Sequence, residues 1–310
     1  MTQKTQAGKW AFIVNPTAGN GFARTYVSKL REMIARHRAD ADLFFTERKG
    51  HASELAKAVA DRGYDPIIAV GGDGTMNEIA RPLVERRDVT LGIVPAGTGN
   101  DFVQILGFPD RFRERDWDIF FERHATPMDA GFCNGRVFLN GMGLGFDAQV
   151  ASENYEPSGE EKKGGKGKYI RHILRTLFTY KSKKMMVTTA GGATTAGCFI
   201  NTIANGRRFA GGFLLTPRAI ADDGLLDVCT IEELTLVERI RILLMVPKGT
   251  HLRNRKVRYY RTDRIRLEFD EDVPFHLDGE LFHASTFDVR VMPGGIRMIF
   301  NPLGGHFFSR

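Results

Sequence analysis

The sequence predicts a two-domain α/β protein: a parallel-sheet domain over residues 1–130, then a mainly antiparallel β domain over residues 131–295. Two observations carry this. Strand-like and helix-like stretches alternate up to about Thr126, and beyond it strand-like runs follow one another with connections too short for helical crossovers. At 310 residues there is also chain enough for two cores. The closing run, Ile296 to Phe300, is left open to return to either domain, with 296–310 assignable to the first.

In the first domain Trp10 to Val14 reads as a strand, and Tyr26 to His37 as a helix with Val27, Leu30, Met33 and Ile34 inward. Leu43 to Phe45 is a strand and Ser53 to Arg62 a helix. Ile67 to Val70 is a buried strand, four apolar residues between Pro66 and a glycine cluster. Thr75 to Arg86 is a helix, with Ile79, Leu83 and Val84 at helical spacing, and Leu91 to Val94 is a strand. Thr75 and Glu78, three apart, read as a capping box that fixes where that helix begins. Such alternation gives a Rossmann-like parallel sheet with helices on both faces, and ligands gather at the carboxyl ends of its strands.

In the second domain the strand-like runs are 136–140, 184–189, 197–204, 225–231, 264–270, 274–277 and 286–292. Glu153 to Lys168 is rich in glycine and lysine and reads as a mobile loop. From Tyr169 to Tyr180, Ile170, Ile173, Leu174, Leu177 and Phe178 form one helical apolar stripe, with Arg171, His172 and Arg175 opposite.

Composition narrows the function. With 42% hydrophobic and 26% charged residues the chain is globular, no apolar run approaches a membrane span, and MTQKTQAGKW lacks a signal-peptide core. A cytoplasmic location is expected. Cys133, Cys198 and Cys229 are odd in number and widely spaced, which indicates core residues rather than disulfides or a zinc site. The net charge of +7 is concentrated: Lys162 to Lys184 holds nine Lys or Arg and no acid, leaving 7 − 9 = −2 elsewhere. A second basic run, Lys248 to Arg266, has Asp263 as its one acid. Localised charge favours an anionic membrane surface over nucleic acid as partner.

Three glycine-bearing loops leave the carboxyl ends of the strands: Asn15 to Gly21, Gly71 to Gly74, and Pro95 to Asp101. Bare backbone amides at a helix start suit phosphate. A carboxylate planted among them, Asp73, would repel phosphate without a cation between, so the Gly71 loop predicts a divalent ion such as Mg²⁺ as well. No loop contains GxxxxGK[ST], which excludes a P-loop. Gly143 to Ala148 fits GxGxxA but has no βαβ unit behind it. Asp101, Asp129, Asp278 and Glu280 are the other acids at candidate positions, and a shared metal site would require several to converge.

Asn15 to Gly19 (NPTAG), Gly71 to Glu78 (GGDGTMNE), Pro95 to Phe102 (PAGTGNDF), Asp222-Asp223-Gly224 and Asp278-Gly279-Glu280 together resemble the ordered signatures of the diacylglycerol kinase catalytic family. That family includes bacterial lipid kinases and the sphingosine and ceramide kinases, with NAD kinases more distant. The resemblance implies an ATP- and Mg²⁺-dependent kinase acting on diacylglycerol or a similar long-chain alcohol. Asn15, Pro16, Thr17, Ala18, Gly19, Thr46, Gly72, Asp73, Gly74, Thr75, Met76, Asn77, Glu78 and Thr98 would line the ATP site. Asp73, Asp101 and Asp129 would hold the catalytic Mg²⁺ or its waters, and Asp278 or Glu280 would take the acceptor's proton. A structural Mg²⁺ would use the Asp223 side chain with carbonyls of Ile220 and Leu225; where relatives have lysine before the acidic pair this chain has Ile220. The resemblance also implies peripheral association with the inner face of the membrane. A soluble NAD kinase-like enzyme and a non-catalytic nucleotide-binding regulator are the rival readings, and the oligomeric state, a homodimer included, stays open.

Overall fold

The computed structural model describes residues 8–153, 175–209 and 212–309. They divide into two compact units, one drawn from residues 1–130, 221–223 and 293–310, the other from 131–220 and 224–292.

The first unit is built on parallel strands in the order β2 (Ala41–Phe45), β1 (Trp10–Val14), β3 (Ile67–Gly71) and β4 (Thr90–Pro95). Every residue of β1, β3 and β4 is buried, as unbroken apolar runs require in a parallel sheet covered on both faces. The end of the chain joins this sheet, because Arg297 and Met298 pair in parallel with Thr90 and Leu91.

The helices depart from their expected bounds for identifiable reasons. The first, α1 (Phe22–Arg36), starts at a left-handed Gly21, ahead of Tyr26. After α2 (His51–Asp61), α3 runs over Asp73–Ala80 rather than from Thr75 to Arg86. The expected capping box is absent: the Thr75 hydroxyl accepts from Asn15 Nδ2 (3.1 Å), and the Glu78 carboxylate accepts from the Gly50 N–H (3.1 Å). Beyond Ala80 the chain tightens into a 3-10 turn at Arg81–Leu83, since Pro82 cannot continue an α-helix. A further helix, α4 (Glu114–Phe121), is not visible in the sequence periodicity; its Phe120 and Phe121 pack on Trp10, and Phe121 also meets Phe12.

The second unit contains the end of β5 (Ala125–Cys133), β6 (Arg136–Phe138), β7 (Gly141–Gly145), α5 (Phe146–Glu153), α6 (175–179), β8 (Lys183–Thr189), β9 (Gly192–Cys198), β10 (Ile200–Ala204), β11 (Leu226–Ile231), α7 (Leu236–Met245), β12 (Val257–Thr262), β13 (Arg264–Leu277) and most of β14 (Glu280–Ile299). Pairing is antiparallel in the order β12–β11–β10–β7–β13–β14, with β8 joining β13 to β9. Two-residue hairpins at Asn134-Gly135 and Asp278-Gly279 have positive φ at both positions, which the primed turn demands. The sheet is buried on both sides: Leu226 and Val228 face one core, Cys229 and Ile231 the other.

Several sequence readings are corrected here. The runs 264–270 and 274–277 are one strand with an irregularity between Glu268 and Val273, and 286–292 continues into Ile296 to Ile299. The stretch 197–204 spans the end of β9 and all of β10. The GxGxxA segment forms β7 and the start of α5, but β7 is antiparallel to both neighbours. The basic run 248–266 is partly neutralised, with Lys256 on Glu238, Arg258 on Glu232, and Arg266 on Glu268 and Asp288. Most of the expected mobile loop and the start of the Tyr169 to Tyr180 helix lie outside the described residues. Within 175–179 the expected stripe splits, with Leu177 buried and Phe178 64% exposed. No helix among the described residues is long and apolar enough to cross a membrane.

Candidate functional site

Because β1, β3 and β4 are parallel neighbours, their carboxyl ends deliver three loops to one edge of the sheet. The loops interlock through absent side chains. A Cβ on Gly72 would stand 2.9 Å from Gly97 Cα, and one on Gly97 would stand 2.8 Å from Asn100 Oδ1 and 3.0 Å from Gly72 N. Gly19, at φ 60, lies against the Ala96 carbonyl where no Cβ fits. Only glycine allows backbones this close.

Polar contacts fix the cluster. Asn15 reaches Thr75, and Asn15 Oδ1 accepts both the N–H (3.2 Å) and the hydroxyl (2.8 Å) of Thr17, closing the NPTAG turn on itself. The Thr46 N–H donates to Val14 O (2.9 Å), which sets Thr46 beside the start of that turn. Buried Asn100, at φ 57, closes the third loop through the Gly97 N–H and carbonyl. Gly74, Thr98 and Gly99 are exposed, whereas Thr75, Met76 and Asn77 are buried. The expected nucleotide-lining positions therefore divide into exposed loop residues and side chains that hold the loop's base.

Asp73 ties two loops together: its Oδ2 accepts the Asp101 N–H (2.9 Å) and its Oδ1 the Phe102 N–H (3.2 Å). This satisfies the first amides of the 3-10 turn Phe102–Gln104. Asp101 is thus adjacent to Asp73. Asp129 is held differently, its Oδ1 accepting the Gly294 N–H (2.7 Å) while its own N–H donates to Ala221 O (2.8 Å). Among the described residues no group of three or more His, Cys, Asp or Glu converges as metal ligands. The donor set at Asp73 and Asp101 still suits Mg²⁺, which takes one or two carboxylates and completes its shell with phosphate oxygens and water.

At the turn before β11, which holds Ile220, Asp223 and Leu225, the Asp222 carboxylate accepts the Ser309 N–H (2.6 Å) and hydroxyl (2.8 Å). Asp222 therefore ties down the chain end, a role for which the sequence offers no signal.

In the second unit, Asp278 and Glu280 occupy one hairpin but do different things. The Asp278 carboxylate accepts the N–H groups of Leu139 (2.6 Å), Asn140 (2.9 Å) and Gly141 (2.8 Å). It staples the turn to β7. Glu280 opens β14 opposite Leu277 and is half-buried.

Two groups escaped the sequence reading. Arg111 donates to the carbonyls of Gly97 (2.6 Å) and Asp110 (2.8 Å) and lies over the Phe22 ring (4.6 Å), so a cation stands at the third loop. It is one of three alternate arginines, and only folding singles it out. His276 Nε2 meets Asp147 Oδ2 at 3.3 Å beside Gly143, where a Cβ would collide with both. Gly143 of the discounted GxGxxA segment makes room for this pair.

Comparison with known proteins shows what the chain is similar to. A family model described as the diacylglycerol kinase catalytic domain matches residues 9–133, and one described as the YegS C-terminal NAD kinase beta sandwich-like domain matches residues 140–300. Diacylglycerol kinase of Bacillus subtilis (strain 168) is 29% identical over 274 residues, covering 86% of this chain and 88% of that protein. The Staphylococcus haemolyticus (strain JCSC1435) diacylglycerol kinase is 28% identical over 270 residues, covering 86% and 81%. A crystal structure from Bacillus anthracis str. Sterne, of a candidate diacylglycerol kinase, superposes with a TM-score of 0.79 at 27% identity, covering 97% of this chain and all of that one.

Proposed function

The chain belongs to the diacylglycerol kinase catalytic family, and from that premise we propose that it transfers the γ-phosphate of ATP to the hydroxyl of diacylglycerol or a similar long-chain lipid alcohol. The observation that carries the nucleotide half is the interlock of Gly72 with Gly97, with Asp73 bonded across it to Asp101 and Phe102. Backbone this bare and this fixed suits a polyphosphate, and positioning is most of what phosphoryl transfer asks of a protein.

In this reading Asn15 to Gly19, Thr46, Gly72 to Glu78 and Thr98 cradle ATP. Asp73, with Asp101, would hold Mg²⁺, which when bound neutralises charge on the transferring phosphates. Arg111 braces the third loop through the Gly97 carbonyl. Glu280 is the carboxylate that takes the acceptor's proton, because the lone pairs of Asp278 are engaged by three backbone amides that orient the hairpin. Asp129 and Asp222 serve the fold of the first unit through Gly294 and Ser309.

The description of the C-terminal domain as NAD kinase-like makes NAD the natural competing acceptor. The test supplies labelled ATP and Mg²⁺ to the full chain with diacylglycerol, sphingosine or ceramide in detergent micelles, or with NAD. Label on a lipid alcohol is expected. Label on NAD alone, or on nothing, would overturn the proposal.

A further inference from the structure

In the second unit α7 carries apolar residues on both faces, the one turned to water included. Arg239, Ile242 and Val246, spaced i, i+3 and i+7, are buried. The opposite stripe holds Val237, 76% exposed, Ile240, 44%, and Leu244, 72%. Single exposed apolar residues are ordinary; a continuous row on one helix face is not. The same outer stripe carries Arg241 and, one turn past the helix, Lys248, both exposed and with no ion pair among the described residues.

The helix is firmly held. Arg239 donates to Leu177 O (2.7 Å) and Leu234 O (3.2 Å) under α7 and lies over Phe199 at 5.1 Å. These bonds also bring α6, with exposed Phe178 and Arg175, next to α7. The one acid within the helix, Glu238, is engaged by Thr235 and Lys256. Nearby Glu233 is exposed but lies outside the helix.

We propose that the outer face of α7 docks this chain on an anionic lipid bilayer, with Val237, Ile240 and Leu244 entering the acyl boundary and Arg241 and Lys248 meeting the headgroups. This rests on the reading of the chain as a lipid kinase, whose acceptor resides in such a bilayer. A row of apolar side chains edged by cations without acids is the pattern of an interfacial helix. A second copy fits less well, since a two-fold contact sets the stripe against itself and brings Arg241 and Lys248 towards like charges with no acid to meet them.

The test is sedimentation of the full chain, without ATP, with phosphatidylcholine vesicles containing or lacking phosphatidylglycerol. Binding to the anionic vesicles is expected. It should weaken at least about tenfold in Val237→Gln/Ile240→Gln/Leu244→Gln. In Arg241→Gln/Lys248→Gln it should weaken roughly twenty-fivefold, at about fivefold per cation. Thermal unfolding checks that both variants fold, and both should still phosphorylate a micelle-dispersed acceptor. Undiminished vesicle binding by both variants, equal binding to phosphatidylcholine alone, or conversion of a dimer to a monomer by the triple substitution would overturn the proposal. Wild-type protein that turns over a micellar acceptor but ignores vesicles overturns the docking alone; protein that binds vesicles but transfers no phosphate overturns the kinase reading alone.

Discussion

Replacing Gly97 by alanine tests whether the loops are locked as argued. The new Cβ would meet Asn100 Oδ1 at 2.8 Å and Gly72 N at 3.0 Å, with Gly72 Cα closer still. Ordinary contact begins at 3.4 Å, so the neighbours must retreat by at least 3.4 − 2.8 = 0.6 Å. The obstacles are backbone and a fully hydrogen-bonded asparagine, neither of which can swing aside, and retreat stretches the bonds from the Ala96 and Gly97 N–H groups to Gly71 O. Overpacking of this kind costs about 1 to 3 kcal/mol. A displaced phosphate cradle can lower turnover by roughly a hundredfold. The control is Gly74→Ala, where nothing lies within 4 Å and the residue sits inside α3; alanine there should raise stability by up to about 1 kcal/mol through helix propensity. Denaturant unfolding and ATP-dependent lipid phosphorylation are measured on both. If Gly97→Ala is as stable and as active as the parent, the interlock is not what positions the site.

Asp73→Asn should lower kcat by at least about a hundredfold, while stability falls by only about 1 kcal/mol as the bonds from Asp101 and Phe102 weaken; near-normal turnover at saturating Mg²⁺ refutes its assigned role. Glu280→Gln should lower kcat by about 10² to 10⁴, whereas Asp278→Asn, which disturbs three amide contacts, should register chiefly as lost stability of about 1 to 3 kcal/mol. The reverse pattern would exchange their roles. Burial pushes the Cys133 and Cys229 thiols up to about 12 and Cys198 higher still, so native protein should resist iodoacetamide at mildly alkaline pH and react fully once unfolded. Burial lowers the His251 pKa below its ordinary 6.5, outweighing its bond to the Leu215 carbonyl. The unfolded chain then binds that proton more tightly, so this stability is present above pH 6.5 and lost as pH falls from there through the lowered folded value. His251→Gln should flatten that part of the pH profile of the unfolding midpoint.

The first unit was largely legible because its strands are short apolar runs fenced by glycine and proline, and local pattern suffices for such runs. Where the reading erred, a tertiary partner had claimed a group assigned locally: Thr75 and Glu78 look like a capping box until Asn15 and Gly50 take their oxygens. α4 escaped because its aromatic residues belong to a cluster with Trp10 and Phe12, distant in sequence. α7 escaped because apolar residues on both faces blur the helical period.

For the site, residue type and order along the chain were enough to mark three glycine loops and the acids beside them, since backbone access and charge are properties of the residues themselves. Which carboxylate does which work depends on hydrogen bonds between residues far apart in sequence. Folding alone sets Asp73 against the amides of Asp101 and Phe102, commits Asp278 to three backbone N–H groups, sends Asp129 to Gly294, and brings Arg111 to the Gly97 carbonyl. A carboxylate's chemistry is fixed by what donates to it, and those donors are chosen by the packing of whole elements rather than by their neighbours in the chain.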